Sequence, residues 1–429
     1  MKLAQISALS AAIFMATSAQ ANAFLDDSSL NLELRNFSQT KTKDDGSTDS
    51  ANSQWAQGVR LDFSSGYFEN IVGLDLGGYY SLKLGASDID SFVGNPGLLR
   101  VDSDGDSHSY GKTSYAVKFN LADMGVAKYG RMFLDTPLVN DSDSRVLPSL
   151  SEGFYADLNY AGLDIFGAWI SKGNAKTESG FVDYQAIDKK AEVNDEAVKT
   201  VGGSYDFGNG LELNASYATQ NEFAQKYLTE ATFSTEVEGF ELGFGAQYSQ
   251  VSFDGGFELL LDAANQDTKQ TAYGLKVDAS YSQASFGVAY TKVKSNDMKI
   301  DLDADGQDDF TGDYFIGWSG GDDDTGYFGY NSIQISDFNS NGQKAWGFSA
   351  GYDFQGIVDG LSVKGIYVMG ETKSQDETEY NLDINYAIPQ VEGLTARLRY
   401  ANNTVEAKGK DDVVKTDTRV ILKYNVAVF

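Results

Sequence analysis

The residues of this chain with the clearest binding chemistry are cationic side chains near its two ends. The chain has 429 residues and eight arginines, and no arginine lies between residues 146 and 396. Arg397 and Arg399 are two residues apart, and Arg419 and Lys423 are four apart, so each pair shares one face of a strand. A guanidinium is permanently charged and offers a rigid fork of donors that fits a carboxylate. The spacing therefore predicts a row of groups that bind anions. Its candidate members are Arg35, Arg60, Arg397, Arg399, Arg419 and Lys423.

The segments that carry these residues alternate strictly between apolar and polar side chains. Residues 394–400 and 419–426 place Leu, Ala, Val and Tyr on one face and the cations on the other. The same alternation recurs along most of the chain, for example in 211–217 and 273–281. A period of two indicates half-buried strands. With no cysteine and a secretion signal in front, the pattern predicts an all-β transmembrane antiparallel barrel with a polar lumen.

The first 23 residues have the features of a cleaved signal peptide. Lys2 precedes the apolar stretch Ala8–Ala19, and Ala21-Asn22-Ala23 fits a small-x-small cleavage site. The apolar stretch is shorter than the ~20 residues that a membrane-spanning helix needs. We therefore expect residues 24–429 to form a single barrel domain in the outer membrane of a Gram-negative bacterium.

Turn signals and length predict the number of strands. Short turns such as Ala161-Gly162, Asn209-Gly210 and Glu392-Gly393 each precede an apolar residue that opens a new strand. Longer polar stretches are expected to be loops on the opposite side. They are 40–53, 172–199, 253–270 and 295–330. At roughly 45 residues per strand pair with its loop and turn, the chain gives about 18 strands, with 16 as an alternative. A barrel of that size leaves an aqueous channel.

Closure of such a barrel pairs the first strand with the last, so the arginines at both ends become neighbours. A row of them lets an anion pass from one fork to the next without being trapped. Alternatively, the arginines pair with lumenal acids such as Glu33, Asp62 and Asp383 and only make the wall rigid. The sequence leaves both readings open.

The charge of −29 makes nucleic acid an unsuitable partner. We expect the acidic runs to form a solvated outer surface. One run, with Asp301, Asp303, Asp305 and Asp309, resembles the start of a calcium loop, but its twelfth position is Gly312 instead of Glu. It is either a Ca²⁺ site or an acidic surface loop; no other cofactor is expected. A single histidine, His108, without a nucleophile motif predicts that the protein is not an enzyme.

Four segments resemble the OprD-like outer-membrane porins. They are 130–137 continuing to 144–148, then 333–338, 379–386, and 393–400 with the terminal strand from 418. The resemblance implies an 18-stranded barrel that takes up small solutes, an inward-folded constriction loop and an arginine ladder that guides carboxylates. The loop falls at about 134–152 and includes Asp135, Asp141, Asp143 and Arg145. The ladder maps to Arg35, Arg397, Arg399 and Arg419, whereas Arg60 and Lys423 come from strand parity.

The sequence thus predicts a porin for selective passive diffusion of small, carboxylate-bearing molecules such as amino acids or organic acids. Family members differ in substrate, so a porin for chitin-derived or other oligosaccharides is an alternative. A non-conducting barrel for adhesion or envelope structure is another. The expected partners are outer-membrane lipid, lipopolysaccharide and small solutes, and the barrel is expected as a monomer or a trimer.

Overall fold

A computed structural model of the chain describes residues 21–296, 317–321 and 329–429. Eighteen of the strands in these residues form one antiparallel ring. In chain order they are β1 (Ser29–Asp44), β2 (Asp49–Ser64), β3 (Val72–Ala86), β4 (Tyr110–Asn120), β5 (Gly125–Met132), β6 (Leu150–Tyr160), β7 (Leu163–Asn174), β8 (Val198–Asp206), β9 (Leu211–Gln220), β10 (Ala224–Val237), β11 (Phe240–Phe253), β12 (Lys269–Tyr281), β13 (Ala284–Lys294), β14 (Lys344–Asp353), β15 (Leu361–Glu371), β16 (Gln375–Ala387), β17 (Leu394–Ala407) and β18 (Val413–Ala427).

Each strand pairs with its neighbours in the sequence, and β1 pairs with β18 to close the barrel. The predicted barrel and its 18 strands are therefore confirmed. Because the ring is closed, the backbone N–H and C=O groups of each strand pair with neighbouring strands, and no unpaired strand edge faces lipid. The remaining elements lie in the connections. They are the helices α1 (Ala21–Asp26) and α2 (Gly255–Ala263) and the short strands Arg100–Val101, Ser107–His108, Val182–Asp183, Gln185–Ile187 and Val193–Asp195. In the part of the chain that the structure describes, neither helix is long and apolar enough to cross a membrane.

The outer face of the wall is apolar and carries rows of aromatic rings. Register partners form one row across several strands. It contains the pairs Tyr217–Tyr227, Tyr248–Tyr273, Tyr290–Trp346 and Tyr367–Tyr380. Such rows mark the interface between lipid tails and headgroups. The row lies toward the end of the barrel with the longer connections, which is the extracellular end in this class of protein.

The long connections lie at one end of the barrel and the predicted x-Gly turns at the other, but the first end also has short turns at 45–48, 221–223, 372–374 and 408–412. At the turn before β17, Gly393 has φ +79°, and a Cβ there would lie 2.1 Å from the carbonyl oxygen of Asn425. Only glycine fits that backbone. The predicted loop at 40–53 is wrong, because β1 and β2 run through it and turn at 45–48. Its polar residues sit on strands that extend beyond the apolar band, so both faces of these strands can be polar.

The long connections fold into the barrel and pack on its inner wall. The largest apolar cluster of the described residues lies between the walls of β7 to β13 and side chains from five connections: Leu138, Tyr184, Phe223, Phe257 and Trp318 are examples, one from each. A second cluster joins Phe37 of β1 to Leu147 and the connection before β4. The extracellular half of the lumen is thus partly filled, mostly on the side opposite the strands that meet at closure.

Candidate substrate pathway

Closure of the barrel brings the predicted cations onto one stretch of inner wall. Arg35 of β1 is the register partner of Lys423 of β18, and Arg399 of β17 is the partner of Arg419. Arg60 of β2 lies opposite Glu33 on the other side of β1. We call this surface of β16, β17, β18, β1 and β2 the seam wall. All six predicted cations belong to it; that they form the substrate pathway stays a prediction.

Two of the six clasp the connection between β5 and β6. Arg35 donates from Nη1 and Nη2 to the two carboxylate oxygens of Asp143, each at 3.1 Å. Arg60 donates from Nη2 to Asp143 Oδ1 at 2.6 Å and from Nε to the carbonyl oxygen of Val146 at 2.9 Å. Both arginines are only 6% exposed. These charge-assisted bonds hold the loop against the wall.

Electrostatics favour the charged form of Asp143 in this contact, and we call the contact of Arg35 and Arg60 with Asp143 the latch. Burial on its own raises the pKa of Asp143, but Arg60 and Arg35 outweigh that effect and leave the pKa below the usual value of an aspartate. Glu33 also contacts Arg35, Arg60 and Lys423. Buried charges are thereby matched, which is the condition for keeping them inside a protein.

The other predicted loop residues have separate roles. Asp141 closes the loop on itself, since its Oδ2 accepts from the amide of Leu134 at 2.8 Å. Arg145 donates from Nε to the carbonyl oxygen of Pro96 at 3.0 Å and so joins two connections. The side chain of Asp135 is exposed. The connection covers 133–149, so residues 150–152, predicted within it, belong instead to β6.

A second inward segment packs on the upper seam wall. Its anchors lie in two segments that carry the family resemblance, 333–338 and 379–386, but nothing in the sequence indicated that these segments meet. Glu379 of β16 accepts from the amides of Ile335 at 3.0 Å and Ser336 at 2.9 Å. Arg419 is 4% exposed and donates to Asp417 at 2.9 Å and to the carbonyl oxygen of Gln334 at 3.4 Å. The segment 329–343 is thus tied to β16 and β18. The motif at 333–338 is the part that docks.

Three cations of the seam wall remain open to the lumen. The side chains of Arg397, Lys423 and Arg399 are 42%, 34% and 26% exposed. Arg397 grips Asp383 with Nε and Nη2, which leaves Nη1 for another acceptor. Nε of Arg399 is buried 3.6 Å from Oδ2 of Asp383 and has no hydrogen-bond partner among the described residues. The third nitrogen of Arg397 is therefore the clearest donor left for a carboxylate.

The wall across the lumen has the opposite charge. Strand parity places Glu212, Glu236, Glu241 and Asp278 on the inner face of β9 to β12, all exposed. Acids on one side and cations on the other produce a field across the lumen. Arg397, Arg399 and Lys423 face this acidic surface, although Asp383 lies beside the two arginines and Glu33 beside the lysine.

The predicted calcium ligands Asp301, Asp303, Asp305 and Asp309 lie outside the described residues, so that site stays a prediction. Within 21–296, 317–321 and 329–429, no three acidic or histidine side chains converge in a way that could hold a metal ion.

Comparison with known proteins agrees with this architecture. The sequence profile described as outer membrane porin, OprD family, matches residues 22–428. The chain belongs to this family of porins. This porin is therefore an integral protein of the Gram-negative outer membrane. The resemblance seen in the sequence is confirmed.

Individual relatives are distant but cover nearly the whole chain. Porin D of Pseudomonas aeruginosa is 26% identical over 97% of this porin and 94% of its own length. The crystal structure of OccK9 (OpdG) of the same organism has a TM-score of 0.77 at 22% identity, covering 95% of this chain and 100% of that one. The structure of OpdK with vanillate, also from Pseudomonas aeruginosa, has a TM-score of 0.73 at 21% identity, covering 94% and 100%. At these identities the solved structures show the fold alone.

Proposed function

We propose that this porin conducts small carboxylate-bearing solutes along the seam wall. The observation that carries the proposal is the division among its six cations. Three of them use their donors to hold inward segments: Arg35, Arg60 and Arg419. The other three are partly exposed to the lumen: Arg397, Arg399 and Lys423. The open cations sit on two adjacent strands, so a carboxylate can exchange one for the next without leaving the wall.

One solved relative supports this class of solute. OpdK has been solved with vanillate, which is an aromatic carboxylate. The oligosaccharide alternative relies on aromatic rings along the lumen. The aromatic row instead lies on the outer face, and Phe37, Tyr184 and Phe253 on the inside are buried in loop packing.

The test is selectivity of Arg397→Gln with Arg399→Gln in planar bilayers and swelling liposomes. Each open charge contributes about 1 kcal/mol to an anion at close range in water. We therefore expect permeability to benzoate or glutamate to fall about fivefold for each charge removed, or about 30-fold for the pair, while permeability to a neutral sugar of similar size is unchanged.

The matched control is Arg100→Gln with Arg131→Gln. It removes the same charge from an exposed connection and from the outer face, so solute selectivity should stay at the wild-type value. Equal losses for anion and sugar in the lumen variant would mean a general change of pore size and would contradict the proposal. Absence of conductance in the wild type would favour a structural barrel.

A further inference from the structure

A patch of lysines on the outer wall has no part in the pathway. Lys269 of β12, Lys292 and Lys294 of β13, and Lys344 of β14 lie at the extracellular ends of three adjacent strands. They alternate with buried inward residues such as Gln270, Val293 and Ala345, so their side chains project outward. We call these four residues the lysine patch. In an otherwise acidic chain, so many cations on one outer surface are unusual.

The lysine patch lies directly beyond the aromatic row. Lys292 and Lys344 are register partners, and the next outward pair toward the membrane centre is Tyr290 with Trp346. On the other side, Lys292 is the partner of Tyr273. Because such rings sit at the membrane interface, the ammonium groups one pleat further out are at headgroup level.

Among the described residues, acidic side chains pair with only two of these four lysines. Lys294 pairs with Asp267, and Lys344 lies 3.7 Å from Glu371. Neither Lys269 nor Lys292 forms an ion pair with any described residue. Lys292 lies directly opposite Lys344 on the adjacent strand. Like charges at such positions are destabilising. The patch ends at β15, where Glu371 faces Asp376 and the outer surface becomes acidic.

A shallow apolar depression of about 710 Å³ begins on β12, the strand of Lys269, and lies closer to the membrane centre than the lysine patch. It is framed by Tyr248, Tyr273 and Leu275 and runs back toward β8. Its floor consists of small outward residues on four neighbouring strands: Gly203, Ala215, Ala231 and Ala246. Large side chains occupy most other outward positions, so this depression can take an acyl chain that lies against the wall.

We propose that the lysine patch and the depression together bind one phosphorylated glycolipid of the outer leaflet, of the lipid A type. Its headgroup phosphates lie on Lys269, Lys292 and Lys344, and one acyl chain lies in the depression. Charge and position favour this ligand over a soluble anion, because the patch faces lipid instead of the lumen. Each anionic phosphate also relieves the repulsion between Lys292 and Lys344.

The test is lipid retention by the purified full-length porin in detergent, measured by native mass spectrometry. Diphosphoryl lipid A, monophosphoryl lipid A and phosphatidylethanolamine are the probes. The wild type should retain the diphosphoryl form best. Lys292→Gln with Lys344→Gln should weaken its retention about fivefold per lysine, the contribution of one basic residue at an anionic membrane surface. The preference over the monophosphoryl form should shrink accordingly.

The control Lys190→Gln with Lys410→Gln removes the same charge from extracellular connections and should retain lipid as the wild type does. Ala231→Phe fills the depression, so it should lower retention of all acylated probes while keeping the preference for two phosphates. Wild-type retention that ignores the number of phosphates, or an equal loss in the control, would overturn the headgroup assignment. Unchanged retention by Ala231→Phe would overturn the acyl-chain assignment. Wild-type conductance verifies that each variant is folded.

Discussion

The latch between Asp143 and the seam wall predicts how the constriction loop responds to one substitution. Asp143→Asn keeps the size of the side chain but removes its charge and turns one acceptor into a donor that faces Arg35. A hydrogen bond to a charged group contributes about 1.5–3 kcal/mol. The side chain of Asp143 is 40% exposed, so the lower part of that range applies. A loss of about 2 kcal/mol shifts the ratio of docked to undocked loop about 30-fold.

The barrel itself should survive this change, because its ladder of paired strands does not include the loop. We therefore expect wild-type thermal stability together with larger open-channel noise and a higher mean conductance in planar bilayers. The control is Asp135→Asn, which removes a charge from an exposed position of the same loop. Noise and conductance equal to those of the control would refute the latch.

A double-mutant cycle isolates the contact further. Arg60→Gln removes the bond to Asp143 Oδ1 and those to Val146. Because both changes release the same loop, the double variant should be no noisier than the noisier single variant. Additive effects would mean that Arg60 and Asp143 act at separate places.

Three further outcomes follow from the same structure. The pKa of Asp143 is below its ordinary value, so docking of the loop 133–149 is fully favourable above the ordinary aspartate pKa. Docking is lost only as pH falls through the lowered pKa. Open-channel noise of the wild type should therefore rise only below about pH 3.9. Glu379→Gln places a donor against the amides of Ile335 or Ser336, which costs about 1–3 kcal/mol and should speed proteolysis within 329–343 without unfolding the barrel. Gly393→Ala forces a side chain into the left-handed region and against Asn425. Its free energy of unfolding in urea should fall by more than 1 kcal/mol, since the backbone conformation alone costs about 1–2 kcal/mol. Gly365→Ala, which has open space around it, should be nearly neutral.

The wall was predictable from the sequence because its rules are local. A period of two assigns each side chain to one face, and closure of the ring then makes neighbours of Arg35 and Lys423, which are far apart in sequence. The loops follow no such rule. Asp143 is 108 residues from Arg35, and nothing in either segment indicates that they meet. For the same reason the sequence could not separate the arginines that anchor loops from those that remain open.

The polarity of 40–53 misled the prediction for a different physical reason. Hydrophobic alternation reports contact with lipid, not the presence of a strand. Where β1 and β2 rise above the apolar band, both faces meet water or other loops, so Thr40 and Ser53 pair in a regular ladder without an apolar stripe. Strand ends beyond the membrane are therefore invisible to this pattern, whereas turns with an obligatory glycine are not.

The proposed division of the arginines into loop anchors and conducting groups follows from how many donors each one has left. Arg35 directs Nε, Nη1 and Nη2 at Glu33, Asp143 and Arg145, so a solute would have to break bonds that hold the loop. Arg397 spends two nitrogens on a single carboxylate, Asp383, and keeps the third. A passing carboxylate can then share Arg397 with Asp383 and leave again without any rearrangement of the wall. Weak, repeated binding of this kind is what conduction requires, and it is available only where the fold has left guanidinium donors unused.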